Sequence, residues 1–351
     1  MNAAIRRPQS EIEPCRLLPS EAARRRLAQR LGHERQFDEV LAASALYGVD
    51  PRELSELYGY WQHEFALEQQ PLFHLPAFRL RAGNDSFRFI QLRSPRTEAL
   101  PLLLLHGETG SLAEAATLAP ELSEPSDGST PFHVVCPALD DLPSRRAEAA
   151  SACAELMRAL GYSRYLVHGS EAGAAVALEL AAQAPDSVAG VQVTRVAAYP
   201  SEQAGELSSL SSVEKSQLAV LSELFERLSV EAPETPLESL ALVLSQLVDA
   251  PPANAAAWRD PLLTGLSFRW SNDPTLTSAE RTTLCLAPSR PSRAPLSVQS
   301  FPLDAPSLRR FVERQHRVAE WREHERGGAC PALEQPQLLL GSLRQFAARL
   351  G

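Results

Sequence analysis

Lysine is almost absent from this chain: Lys215 is the only one in 351 residues, which leaves a single position for lysine-based covalent chemistry. Cysteine is sparse and scattered. Cys15, Cys136, Cys153, Cys285 and Cys330 are odd in number, and no two stand at metal-ligand or redox spacing. They read as reduced thiols, and neither a disulfide framework, a metal nor a cofactor is expected. No apolar run reaches the roughly 18 residues of a membrane span. The first fourteen residues mix Arg6 and Arg7 with Glu11 and Glu13 and hold no apolar stretch of the secretory kind. The expectation is a cytoplasmic protein. Basic charge is in deficit too, with a formal net charge of −9 and a pI near 5.5, which argues against nucleic acid or an anionic membrane as the main partner. A small organic ligand, a protein partner or a second copy of the chain remains.

What is present is apolar material: 44% of residues are hydrophobic, enough for one large core with an insertion or a second lobe. Helical spacing predicts a helix over Pro19 to Gly32 (Ala22, Leu27, Leu31), begun by Ser20 and ended by Gly32. Another runs from Asp50 to Gln69, with Pro51 in its first turn and Leu54, Leu57, Tyr58, Trp61 and Phe65 on one stripe. The pattern then turns to strands: Phe87 to Leu92, the continuous apolar run Leu100 to Leu105, and Phe132 to Cys136. A helix over Arg145 to Leu160, a strand over Arg164 to His168, a helix over Ala172 to Gln183 and a strand over Val188 to Val193 follow. This alternation implies a mostly parallel sheet covered on both faces, an α/β class.

From Tyr199 to Arg290 the alternation stops. Helices are expected over Ser208 to Leu228 and Pro236 to Val248, with a further region around Trp258, Phe268 and Trp270. Those aromatics could line a pocket or pack the insertion onto the core. A strand over Pro295 to Phe301 and helices over Pro306 to Glu325 and Pro336 to Leu350 close the chain. The expected division is an N-terminal helical meander over 1–85, a core over 86–199 and 291–351, and a helical cap over 200–290.

The most specific local signal is Gly169-Ser170-Glu171-Ala172-Gly173, where a buried strand ends and a helix begins. Small residues two before and two after a central one allow a strained strand-to-helix turn that pushes the centre into a pocket above a helix N-terminus. The centre here is Glu171. The glycines could equally serve close strand–helix packing alone. A second segment, His106-Gly107-Glu108-Thr109-Gly110, follows the buried strand directly. A loop of that type can present backbone N–H groups to a developing negative charge, together with Ala172 after the turn, although His106 could also be a bonded core histidine.

In this order, with β/α elements between them, these segments resemble the α/β-hydrolase-fold epoxide hydrolases that carry an N-terminal helical meander, similar to the microsomal and juvenile-hormone enzymes. Tyr47-Gly48-Val49, Tyr60-Trp61 and Phe65 resemble the meander motifs, and Arg93-Ser94-Pro95 before Leu102 to Gly107 resembles the first core strand. Leu156 to Tyr162 precedes the turn as in the family. Gly327-Gly328 and Ala332-Leu333-Glu334-Gln335-Pro336 resemble its C-terminal signature.

The resemblance implies an α/β-hydrolase fold and epoxide opening by an elbow aspartate, a histidine oriented by an acid to activate water, and two cap tyrosines that protonate the epoxide oxygen. Carried over position by position, Glu171 takes the nucleophile place with one extra methylene, about 1.5 Å. Asp304 takes the place of the orienting acid. Ala329 takes the place of the histidine, with Cys330 beside it. All six tyrosines lie at or before Tyr199, so the insertion carries neither phenol. Loss of the base alone is worth factors of about 10⁴ to 10⁶ in comparable triads.

Replacement acids are expected instead. Glu108 and Glu171 would face one cavity and share a proton, with His168 as a partner or as a core histidine bonded at its strand end. His316 and His324 are expected on a surface helix. The reading is a non-hydrolytic relative binding a hydrophobic small molecule between core and cap, with a repurposed acid/base enzyme or a residual epoxide hydrolase as alternatives.

Overall fold

The computed structural model describes residues 10–33, 37–82, 85–107, 111–200, 205–230, 233, 235–247, 255–272, 290–302 and 304–350. Nine strands form one sheet: β1 (Glu11–Pro14), β2 (Ala77–Ala82), β3 (Asp85–Leu92), β4 (Leu100–Leu105), β5 (Phe132–Pro137), β6 (Tyr165–Gly169), β7 (Val188–Val193), β8 (Ser292–Ser300) and β9 (His316–Glu323). Their order is β1-β2-β3-β5-β4-β6-β7-β8-β9. β1 to β3 pair antiparallel and β3 meets β5 antiparallel, while β5 through β9 run parallel. This is the α/β-hydrolase architecture.

The parallel part dictates where a site can form. The chain leaves β4 for β5 on one side and then returns to place β6 on the other, so the strand order reverses at β4. Crossover segments part at such a reversal and leave a crevice outside the carboxyl ends of the strands. The loops after β4 and β6 begin at Leu105 and Gly169, which are register partners.

Before the parallel strands come α1 (Glu21–His33), α2 (Phe37–Tyr47) and α3 (Pro51–His63). The α3 start follows the sequence: Asp50 accepts from the Arg52 N–H at 2.7 Å, and Pro51 opens the first turn. Leu54, Leu57, Tyr58 and Trp61 form its buried stripe. Around the sheet lie α4 (Ala113–Ser123), α5 (Arg146–Ala159) and α6 (Glu171–Gln183). Between β7 and β8 come α7 (Ser212–Val230), α8 (Pro236–Gln246) and α9 (Ala255–Ser271). α10 (Arg309–Gln315), α11 (Pro331–Glu334) and α12 (Pro336–Ala348) complete the chain.

The segment between β7 and β8 is bound to the meander by polar ties as well as apolar contact. Trp61 Nε1 donates to Ser267 Oγ at 2.8 Å, and the Tyr60 hydroxyl to Asp260 at 3.1 Å. Within the segment Trp270 Nε1 donates to Ser239 Oγ at 3.1 Å, and the guanidinium of Arg30, on α1, lies 5.4 Å from the Trp270 ring centroid. Arg88 forms a fork on Asp141 (2.6 and 2.7 Å) and lies 4.6 Å from the Phe268 ring centroid. Phe268 and Trp270 therefore pack these helices onto the rest of the molecule.

Three expectations need correction. The helix placed over Pro306 to Glu325 ends at Gln315, and residues 316–323 are the edge strand β9, paired with β8. Its arginines and glutamates suit an edge, where one side needs no partner strand. β1 and β2 precede the first strand read from the sequence. β1 is four residues long with no fully buried position, too short to show a period. Finally, the helix read over Asp50 to Gln69 ends at His63, and short 3-10 turns follow at Leu67–Gln69 and Pro71–His74; the Trp258 to Trp270 region lies in one helix, with Pro261 inside it. Cys285 lies outside the described residues.

Close packing at the β6–α6 junction is absolute at Gly173, where a Cβ would lie 2.2 Å from the Leu105 carbonyl oxygen. Gly59, inside α3, has nothing within 4 Å of a built Cβ. Gly173→Ala is expected to cost about 3 kcal/mol by overpacking against backbone. Gly59→Ala should instead gain about 0.5–1 kcal/mol. Urea unfolding of both variants checks this, and equal effects would contradict the geometry.

Candidate active site

The turn between β6 and α6 carries the strain that its sequence implies. Glu171 has φ of 44°, a left-handed conformation for a residue with a side chain, at a typical cost of about 1–3 kcal/mol. The surroundings enforce it. Gly169 and Gly173 approach so closely that a Cβ on Gly169 would lie 2.5 Å from the Gly173 carbonyl oxygen, and Ser170 N–H donates to the Leu105 carbonyl at 3.1 Å. The elbow alternative is thus the one realised, with the glycine packing as its means.

Glu171 is buried, and its Oε2 lies against Gly107: a Cβ at Gly107 would stand 2.3 Å from that oxygen. Gly107 is thereby brought next to the elbow carboxylate. Ala172 stands in the first turn of α6, among the N–H groups that a helix leaves unpaired. Glu108, Thr109 and Gly110 lie outside the described residues, so the Glu108–Glu171 pair is an expectation only.

A different carboxyl occupies the neighbourhood. Glu114, on α4, is fully buried and accepts from the Gly107 N–H at 3.0 Å through Oε1, with the Cys330 thiol 3.9 Å from the same oxygen. Its Oε2 is buried and has no hydrogen-bond partner among the described residues. Burial, with Glu171 nearby, pushes its pKa up to about 8 against the opposing pull of the Gly107 N–H. Gly107 thus touches two carboxyl groups, one through its N–H and one through its Cα. The sequence signal for Glu114 was available but weak: a glutamate on an otherwise apolar helical face.

The second unanticipated residue is Arg195, just beyond β7. Its Nη1 donates to Asp304 Oδ1 at 3.0 Å, and its Nη2 lies 4.0 Å from Glu171 Oε1. The three side chains are 11%, 2% and 6% exposed, so this is a largely buried carboxylate–guanidinium–carboxylate bridge. Asp304 also accepts from Ala305 N–H, while its Oδ2 is buried without a partner. Burial raises its pKa in spite of Arg195. A guanidinium is a donor only and holds its proton above pH 12. It can neutralise the two acids, and it cannot act as a base.

The histidines are occupied elsewhere. His168 is fully buried, with Nδ1 3.1 Å from Gln192 Oε1 and Nε2 3.4 Å from Ser170 Oγ, and burial lowers its pKa to about 4. This is the bonded core histidine. His106 bonds its own loop through Nδ1 (Gly107 O, 2.8 Å) and accepts from Leu139 N–H at Nε2 (3.1 Å). His316 and His324 depart from the expected surface helix because 316–323 is a strand. His316 is buried at the start of β9. His324 stacks on Phe301 at 4.5 Å and bonds Gln299 at 2.9 Å. Ala329 is buried beside Cys330, whose thiol is held well above its usual pKa by burial and by the neighbouring carboxyls, which disfavours the thiolate. Gly328 N–H donates to Glu334 at 2.7 Å, fixing this loop.

With this geometry in view, the similarities are specific. A family profile described as "Epoxide hydrolase N terminus" matches residues 12–115, which span the meander and the loop that reaches Glu171. The chain is similar to epoxide hydrolases. It is 28% identical to a Stigmatella aurantiaca protein named "Putative epoxide hydrolase", across 97% of this chain and 85% of that one. It is 29% identical to the juvenile hormone epoxide hydrolase of Bombyx mori over 52% of this chain. It is 26% identical to epoxide hydrolase 1 of Oryctolagus cuniculus over the same share. Those alignments span 43% and 44% of the insect and rabbit proteins, less than half their length. The Aspergillus niger epoxide hydrolase shares the fold across 99% of both chains, with a TM-score of 0.72 at 21% identity. The Bombyx mori structure does so at 0.74 and 19% identity, over 98% of this chain and 95% of that one.

No helix of the described residues is long and apolar enough to cross a membrane. Among the same residues no group of three or more His, Cys, Asp or Glu side chains is arranged to hold a metal ion. A cavity of about 210 Å³ opens between Gln70–Leu72, α4 and α9, with Ala113, Thr117 and Pro261 in its wall. It uses a different face of α4 from Glu114.

The Glu114 carboxyl makes stability depend on pH. Below about pH 4.5 it is protonated both folded and unfolded. Between 4.5 and about 8 the unfolded chain releases a proton that the folded one keeps, so stability falls as pH rises. Glu114→Gln removes that penalty. Its stability relative to the parent should rise by up to a few kcal/mol from pH 4.5 to pH 8 in urea unfolding. A pH-independent difference would refute the assignment.

Proposed function

We propose that this chain is a non-hydrolytic epoxide hydrolase relative, a pseudoenzyme for the ancestral reaction, that holds a hydrophobic small molecule between core and cap. The proposed division is a meander over 1–85, a core over 86–199 and 291–351, and a cap over 200–290. The supporting observation is the bridge Glu171–Arg195–Asp304. By the family correspondence Glu171 stands at the nucleophile, Asp304 at the orienting acid and Ala329 at the histidine. The cation that joins the two acids is a guanidinium, and it has no lone pair with which to take a proton from water.

Epoxide hydrolysis asks for three things here: an attacking carboxylate in line, a base for the ester, and an acid for the epoxide oxygen. Glu171 retains the carboxylate, displaced by about 1.5 Å, where misplacements of about 1 Å can cost a hundredfold. The base is missing, and no tyrosine follows Tyr199. A second reading, acid/base chemistry without a covalent intermediate, draws on Glu114, a carboxyl that keeps its proton next to Glu171. Here Glu114 takes the part first expected of Glu108.

Incubation with aryl and alkyl epoxides, followed by product analysis and intact mass, separates the readings. The expected result is no diol above the uncatalysed rate, no adduct, and a raised Tm with apolar ligands. Diol formation abolished by Glu171→Gln, or a covalent adduct on Glu171, would overturn the non-hydrolytic reading. Turnover that needs Glu171 and is indifferent to Asp304→Ala would favour the acid/base reading.

A further inference from the structure

The cavity between Gln70–Leu72, α4 and α9 is apolar over most of its wall, with Pro71, Leu72, Ala116 and Pro261 among its lining, and it encloses about 210 Å³. An engineered apolar cavity of about 150 Å³ holds benzene, so this one has room for a single ring with a short tail. Asp260 and Thr264 line it from α9, one helical turn apart. Asp260 Oδ1 accepts from the Tyr60 hydroxyl at 3.1 Å and from Arg259 Nε at 3.3 Å, while Oδ2 meets no donor among the described residues. The Thr264 hydroxyl donates to the Asp260 carbonyl at 2.6 Å, which leaves its oxygen only lone pairs to offer. On the other walls Gln70 and Thr117 each spend a donor on a backbone carbonyl, at 3.1 and 3.4 Å. What α9 presents to the cavity is therefore a pair of acceptors, one of them charged.

Such a pair selects for donors. A ligand carboxylate or phosphate meets the Asp260 charge, and an ether, epoxide or carbonyl oxygen sets its lone pairs against those of Oδ2 and Thr264 Oγ1. A hydroxyl brings one hydrogen for two acceptors. An ammonium brings three, together with the complementary charge. Arg259 does not line the cavity: it stacks on Tyr60, 3.7 Å from the ring centroid, and bonds the other carboxylate oxygen. We propose that this cavity binds a small primary amine, its apolar body along the walls and its ammonium on Asp260 Oδ2 and Thr264 Oγ1. The proposal rests on the ligand-binding reading above and deepens it. The molecule held between core and cap sits at a wall of α4 and α9 that does not include Glu171, and it carries a cationic head.

Three compounds on one skeleton test it: 2-phenylethylamine, 2-phenylethanol and ethylbenzene, whose heads are an ammonium, a hydroxyl and nothing. Titration calorimetry or ligand-observed NMR on the full chain at neutral pH should give the amine at least about tenfold tighter binding than ethylbenzene, the scale of one hydrogen bond to a charged group. The alcohol should fall between them. Asp260→Asn keeps an oxygen for Tyr60 and Arg259 and turns the other acceptor into a donor, so the preference should drop to about threefold or less. Ala116→Leu fills the cavity and should abolish binding of the amine. In the wild type, where no variant need fold, the ring protons of the amine should show nuclear Overhauser contacts to the Ala113, Ala116 and Ala257 methyls. Equal binding of amine and ethylbenzene, a preference unchanged in Asp260→Asn, or bound amine without those methyl contacts overturns the amine site and leaves ligand binding between core and cap standing. Binding by none of the three also overturns the site. The ligand-binding reading itself falls only if apolar ligands at large leave Tm unchanged.

Discussion

Everything at this site depends on how closely α6 is allowed to approach β4. Gly173 lies where a single methyl would overlap the Leu105 carbonyl, and Gly169 lies where one would overlap Gly173 itself. That contact leaves residue 171 no conformation but the left-handed one, and aims its side chain at the mouth of the strand reversal. Strain of about 1–3 kcal/mol persists only where surrounding packing over-determines it. The buried leucines of β4 and the alanine-rich α6, most of them under 2% exposed, supply that packing. The elbow is thus a property of the scaffold. It would be formed whichever side chain occupied its centre.

The charges follow from that geometry. Glu171, Asp304 and Glu114 are all buried, and isolated buried carboxylates cost several kcal/mol each. The fold answers in two ways. Arg195 pairs with two of them, and Glu114, which faces a backbone N–H and no cation, keeps its proton. Removing one member of a buried pair typically costs about 3–5 kcal/mol because the other is left uncompensated. Asp304, buried as it is, therefore needs a cationic partner, and Arg195 meets that need with a guanidinium, which cannot act as a base.

Much of this was legible in the sequence because it is local. Gly169 to Gly173 must lie at a strand end, and Leu102 to Leu105 must be buried. The parts that were not legible are long-range. Arg195 is one arginine among many, and nothing near it in sequence reveals that Asp304, 109 residues away, will accept a hydrogen bond from it. Glu114 reads as one polar residue on an apolar helix until Gly107 is folded onto it. Residues 316–323 carry charges at spacings that a surface helix tolerates, and only pairing with β8 makes them a strand. Local sequence encodes the elbow, while the identity of its neighbours is set by tertiary packing.

A shared fold and a shared reaction rest on different parts of a chain. The similarity to epoxide hydrolases resides in the meander, the loop after β4 and the sheet, which together specify where a pocket must form. The reaction resides in a few side chains that the same scaffold can exchange. On the proposed reading those exchanges are coupled. With Ala329 in place of the imidazole, Arg195 is bonded to Asp304 and reaches toward Glu171, and at Asp304 it opposes the burial that disfavours the charge. An imidazole returned to position 329 would compete for Asp304 with a guanidinium already 3.0 Å from it. It would also face a carboxylate one methylene too long. Recovery of a hydrolytic site would therefore require positions 171, 195 and 329 to change together.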